Sequence, residues 1–337
     1  MKSKTISRRS FLRAGAVSAA GLAGITALSQ IKPTHAQHPS QAGGQPDTHE
    51  AHQGAITVGD VDTSEFDPME YLYNFDYGRV STLDDGRTLR EWDINAINKD
   101  IEIAPGVFFP AWTYDGQVPG RTFRCTEGDL LRFNFGNGSS HPHTVHFHGN
   151  HPPSMDGITP NVNPGEFFTY EFEAKPFGLH LYHCHTMPLK RHIHKGLYGA
   201  FIIDPPGGRP PAREMVMMMN GFDMNFDDEN EIYAVNTVAF HYARHPIQVK
   251  VGELIRIYLV NITEFDPVNS LHLHAGMYKM FKTGTRLDYF EITDNVLLGQ
   301  GERAVLEMTL DYPGQYMFHA HQSELAELGW MGMFEAS

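Results

Sequence analysis

From about residue 80 onward, short runs of aromatic and β-branched residues alternate with polar ones and are punctuated by Gly, Pro and Asn. The stretches 130–135, 167–172, 254–260 and 304–310 are examples. Alternation with a period of two predicts half-buried strands, and no amphipathic segment of helical period competes with them, so the chain reads as all-β, of the sandwich kind. A Pro/Gly block at 204–211 (DPPGGRPP) divides the chain and reads as an interdomain linker. Residues 37 to about 55 are polar and aperiodic, a flexible arm that continues as a lead-in to residue 79. His38, His49 and His52 in that arm are expected to be solvated.

The two halves repeat. Gly128-Asp129-Leu130-Leu131-Arg132-Phe133 matches Gly252-Glu253-Leu254-Ile255-Arg256-Ile257, each ahead of a His-x-His pair. Gly165-Glu166 precedes His183 by the same 18 residues that separate Gly301-Glu302 from His319. Two copies of one β-domain explain this spacing, over residues 80–207 and 208–337. Where the first copy carries Cys184 the second carries Ala320, so the copies share a face but not the same complement of metals.

Composition narrows the choices. With 337 residues, 41% hydrophobic and 20% charged, the chain can bury two ordinary cores. Its 26 Lys and Arg against 40 Asp and Glu exclude a basic nucleic-acid footprint. Two cysteines exclude a disulfide scaffold, and 20 histidines are the outlier. Residues 1–36 read as a signal peptide: Ser7-Arg8-Arg9-Ser10-Phe11-Leu12-Arg13 resembles a twin-arginine export signal, followed by a mild apolar run and a small-residue exit at Thr34-His35-Ala36. That run falls short of the roughly 20 residues a spanning helix needs, so no membrane anchor is expected. The mature chain is expected to be periplasmic or secreted.

Four His-x-His pairs carry the chemistry: His146/His148, His183/His185, His272/His274 and His319/His321. Alternate side chains of a strand share a face, so each pair aims two imidazoles at one point. Four pairs at equivalent places of a duplicated domain point to metal, and neutral imidazole suits copper. Cys184, between His183 and His185, points to the opposite face, which joins two metal sites through one short stretch of backbone. His143 and His192 complete a blue-copper set on the Cys side, with Leu197 in the axial position. A Cys125–Cys184 disulfide is the alternative, but it leaves the histidine cage unexplained, and Cys125 suits the core of a strand.

These motifs resemble multicopper oxidases. Tyr114-Asp115-Gly116-Gln117-Val118-Pro119-Gly120, Glu127-Gly128-Asp129 and His146-Phe147-His148-Gly149 look like that family's opening. His183-Cys184-His185 with His192 and Gly196-Leu197 is similar to the closing copper motif of laccases, with three extra residues between the Cys and the His. With Ala320, Asn269 and Leu325 in place of blue-copper ligands in the second half, the chain looks like a two-domain laccase with type 1 copper in domain 1 only.

The resemblance implies two tandem cupredoxin-like Greek-key sandwiches and four coppers per subunit. Type 1 copper falls to His143, Cys184 and His192, with Leu197 non-coordinating. Type 2 copper falls to His146 and His272, and the type 3 pair to His148, His183, His185, His274, His319 and His321. It further implies a homotrimer with clusters at subunit interfaces, dioxygen as acceptor and a phenolic or low-valent metal donor. Asp156 matches the family's acid near type 2 copper, although Asp156-Gly157 also reads as a turn. Glu324 and Glu327 are weaker candidates for proton relay. The Met215–Met219 stretch with Met224 reads as strand and core rather than as a soft-metal relay. His194 falls outside the ligand count.

The nearest rival is copper nitrite reductase, likewise a two-domain trimer with type 1 copper in domain 1. It uses a mononuclear type 2 site and an Asp where His146 stands here. A non-catalytic electron carrier would need the type 1 site alone.

Overall fold

The computed structural model describes residues 59–337; the expected signal peptide at 1–36 and the arm at 37–55, with His38, His49 and His52, lie outside the described residues. Four sheets form two sandwiches. In the first, one sheet runs in the order Phe75–Asp76, Gly120–Thr126, Tyr198–Asp204, Gly178–His183, His146–Phe147. The other runs Arg79–Thr82, Thr88–Ala104, Leu130–Asn137, Phe167–Glu173, with Val107–Tyr114 paired to the long Thr88–Ala104 strand. The second sandwich has a six-stranded sheet containing Arg213–Phe222, Ile255–Asn261 and Arg303–Met308, and a five-stranded one containing Met331–Ala336, Gly314–His319 and Val268–Leu273.

The duplication extends to register. Thr88–Ala104 pairs in parallel with Leu130–Asn137, as Arg213–Phe222 does with Ile255–Asn261. His146 lies opposite His183 across an antiparallel pair, and His272 lies opposite His319 in the same way. The repeated glycines share conformations: Gly165 and Gly301 have φ of +82° and +74°, a left-handed turn that a side chain would strain.

The Met-rich stretch forms a strand with both faces buried. Met215, Met217 and Met219 enter the core of the second sandwich, while Val216 and Met218 enter an apolar layer shared with Ile101, Phe109, Leu179 and Leu181 of the first. A strand covered on both sides needs no polar alternation, which is why this one is a continuous apolar run. Cys125 is buried in the strand Gly120–Thr126 and is not disulfide-bonded, as expected of a core residue.

Part of the lead-in is built into the fold. Asp67 caps the helix Pro68–Tyr71 through Met69 N–H, Phe75–Asp76 pairs with Gly120–Thr126, and Leu72 packs in the core of the second sandwich. A buried ionic chain also crosses from one sandwich to the other. Arg124 binds Asp204 and Glu214, and Arg256 binds Glu214 and Glu307, at 2.6–2.8 Å.

Candidate metal centres

Three donors meet beneath the surface of the first sandwich. His143 Nδ1 and His192 Nδ1 are 3.1 Å apart, and Cys184 Sγ lies 3.3 Å from His192 Nδ1 and 3.8 Å from His143 Nδ1. His143 follows the strand Leu130–Asn137 and is tied to Val162 by paired backbone hydrogen bonds, Cys184 follows Gly178–His183, and His192 lies in the short helix Leu189–His194. Cys184 N–H donates to the carbonyl of Leu197, which is fully buried in the same core. Burial pulls the His143 imidazole down to about 3 and that of His192 to about 4, so both are neutral. Two neutral imidazoles and a thiol whose ligand atoms crowd one point, with no carboxylate among them, fit copper of the blue type.

A second group forms from His183 and His185, which flank Cys184, and from His146 and His148 at the neighbouring strand His146–Phe147. Ring centroids are 5.1 Å apart for His146–His148 and His146–His183 and 5.3 Å for His146–His185, and His148 Nε2 lies 3.1 Å from His183 Nε2. The second sandwich repeats this: His272–His274 at 4.9 Å, His272–His319 at 5.4 Å, His272–His321 at 5.2 Å, and His274 Nε2 at 2.9 Å from His319 Nε2.

The surroundings repeat as well. His146 Nδ1 faces the Asp156 carbonyl at 2.6 Å and His272 Nδ1 that of Asp294 at 3.0 Å. His183 Nδ1 faces the Cys184 carbonyl at 3.0 Å and His319 Nδ1 that of Ala320 at 2.6 Å. A ring whose Nδ1–H donates to a carbonyl presents a bare Nε2 lone pair, the form that binds metal. Thr144 Oγ1 and Ser270 Oγ accept from the N–H groups of His185 and His321 respectively. Burial lowers His148 to about 2 and His183 to about 4 and also pulls His146 and His319 down, which keeps these rings neutral.

The ten histidines and the cysteine expected as copper ligands thus fall into three groups. The triad and each quartet assemble, but no ring contact or hydrogen bond among the described residues joins one quartet to the other. His274 and His321 of the second quartet are exposed. Asp156 ends a short 3-10 turn and its carboxylate lies 3.3 Å from His146 Nδ1, so the turn and the histidine partner are one feature. Its counterpart Asp294, with a carboxylate oxygen 3.8 Å from His272 Nδ1, was not anticipated from sequence. It stands 22 residues after its histidine where Asp156 stands 10 after its own, so the repeat spacing does not reveal it. His194 is buried and accepts a hydrogen bond from Asp223 N–H at 2.9 Å.

Sandwiches of this kind, with a thiol–imidazole triad in one and imidazole quartets in both, define a cupredoxin-type copper protein. Family models described as multicopper oxidase match residues 96–208 and 208–337. A crystal structure of a multicopper oxidase is 55% identical and superposes with a TM-score of 0.79 over 80% of this chain and 97% of its own. A blue copper oxidase from Nitrosomonas europaea is 29% identical, with a TM-score of 0.65 over 74% of this chain and 86% of its own. The copper-containing nitrite reductase of Neisseria meningitidis is 29% identical over 252 residues, 68% of this chain, and the match spans 64% of the reductase's own length. The chain belongs to the multicopper oxidase family.

Proposed function

We propose that the protein is a laccase-like oxidase that removes single electrons from a small donor, phenolic or a low-valent metal ion, and reduces dioxygen to two waters with four electrons and four protons. The observation that carries this reading is the pair of matched quartets. Eight imidazoles with the same hydrogen-bonded surroundings are more than a mononuclear type 2 site or an electron carrier uses. His143, Cys184 and His192 would hold type 1 copper, with Leu197 as an apolar axial neighbour. His146 and His272 would hold type 2 copper, and His148, His183, His185, His274, His319 and His321 the type 3 pair. Four coppers would supply one-electron steps at the triad and a store of four electrons for dioxygen at the cluster.

The chain's own groups set the conditions. The Asp156 and Asp294 carbonyls fix the tautomers of His146 and His272. The Asp156 carboxylate, also 3.7 Å from His151 Nε2, is placed to hold a proton beside the quartet. The Cys184 carbonyl, bonded to His183 Nδ1, couples triad and quartet through a single residue.

The lack of any contact between the quartets among the described residues, and the exposure of His274 and His321, support a homotrimer in which the first sandwich of one subunit meets the second of its neighbour. Exposed Leu297 and Ile292, on strands of the second sandwich, and Phe167 of the first are apolar surface for such contacts. The twin-arginine-like start supports export to the periplasm or beyond.

Copper per chain, assembly mass and gas exchange test the proposal together. Four coppers per chain, a mass of three chains by light scattering and oxygen uptake with a phenol are expected. Two coppers per chain with conversion of nitrite to nitric oxide would replace it with the reductase reading.

A further inference from the structure

A cavity of about 480 Å³ lies over the buried edge of His192, lined among others by Trp112, His141, Met187, Arg191 and Lys195. This volume falls within the range of about 300–1,000 Å³ usual for small-molecule sites. Trp112 is its floor: the indole is 4.9 Å from the His192 ring, 5.4 Å from His143 and 4.5 Å from His141. An aromatic ring laid against that indole would rest one side chain away from the triad.

Lys195 is the unusual member. It is only 6% exposed, yet no carboxylate reaches its ammonium group as an ion pair among the described residues. Its neighbours are ring faces: Nζ is 4.8 Å from the centroid of Phe109, 4.8 Å from Phe226 and 6.0 Å from Trp112. A buried cation calls for a counter-charge, and aromatic faces supply only part of it. Arg191 on the rim is exposed and also lacks an ion-pair partner among the described residues, whereas the adjacent Lys190 is paired with Asp228. Two unpaired cations thus border one cavity on a chain of formal charge −14. Such a local reversal of sign concentrates small anions against a repelling surface.

We propose that this cavity is the donor site and that it selects single-ring aromatic donors bearing a carboxylate, the ring on Trp112 and the carboxylate at Lys195 and Arg191. This deepens the oxidase reading and rests on it for the word donor, but the recognition can be measured without turnover. 4-Methoxybenzoate, which has no free phenol to oxidise, is titrated into the holoenzyme by calorimetry, beside its methyl ester and acetate. The acid is expected to bind at least tenfold more tightly than either control, and Lys195→Met to remove most of that margin with the visible and paramagnetic copper spectra unaltered. Arg191→Gln, at an exposed position that cannot disturb the core, is expected to cost about threefold or more. In steady state, Lys195→Met should raise KM for 4-hydroxy-3,5-dimethoxybenzoate relative to 2,6-dimethoxyphenol, and the KM ratio should move more than the kcat ratio. Equal affinity for acid and ester overturns the proposal, as does acetate binding as tightly as the aromatic acid, which marks a general anion site. Failure of oxygen uptake with the calorimetric preference intact would refute the oxidase reading and leave the aromatic-acid site standing.

Discussion

Glu214 holds the ionic chain between the sandwiches, and Glu214→Gln tests what that chain contributes. Burial alone would push this carboxyl up. Hydrogen bonds and charge from Arg124 and Arg256, with the Tyr258 hydroxyl 2.8 Å away, override burial and hold it down at about 2 against an ordinary 4.5. That depression is worth about 3 kcal/mol at neutral pH, at 1.36 kcal/mol per tenfold change. Because the folded value is the lower one, the contribution is complete above the unfolded value and is lost as pH falls through the folded one. About half should survive at pH 3 and little at pH 2. Removing one member of a buried pair typically costs about 3–5 kcal/mol. Here Arg124 keeps Asp204 and Arg256 keeps Glu307, which places the variant at the lower end. Urea is the appropriate denaturant, being uncharged, with copper loading and protein concentration held fixed. A stability gap below about 1 kcal/mol at pH 7, or one that fails to narrow between pH 6 and pH 3, would refute the electrostatic account.

Leu197→Met, by offering a weak thioether beside the triad, should lower the potential of the copper proposed there, as read by redox titration of its visible band; an unchanged or higher potential counts against the proposed axial role of Leu197. Asp156→Asn and Asp294→Asn should each reduce oxygen turnover or cluster copper by about 10–100-fold while leaving the triad's spectrum intact, and a defect confined to Asp156 would show that the two carboxylates are not equivalent. Phe133→Ala, which removes a fully buried ring stacked 4.6 Å from Trp92, should cost about 3–5 kcal/mol in thermal or urea unfolding. A cost below about 1 kcal/mol would mean that the core collapses onto the cavity.

The ligand-bearing pairs were legible because strand geometry converts an i, i+2 spacing directly into a shared face. Cys184 was readable for the same reason, pointing away from both neighbours. The Met-rich run was legible as core, though sequence did not disclose that its two faces serve different layers. What escaped the sequence depends on contacts between distant segments. Arg124 and Glu214 are 90 residues apart, and each taken alone looks like an ordinary charge on a strand. Lys195 becomes unusual only when Phe109, Trp112 and Phe226 close around it. The residues ahead of position 80 looked like a lead-in because the strand Phe75–Asp76 is two residues long, too short to leave a periodic signature.

The Ala320 position has a consequence for how a ring of subunits divides its labour. The second sandwich keeps the carbonyl contact to His319 that its counterpart makes at Cys184, but has no sulfur to feed it. In the proposed trimer each catalytic centre then has one supply line and shares it with none. Rings assembled from intact and Cys184→Ser chains would therefore lose turnover in simple proportion to the altered chains, each silent inlet idling one centre while the other two keep their pace.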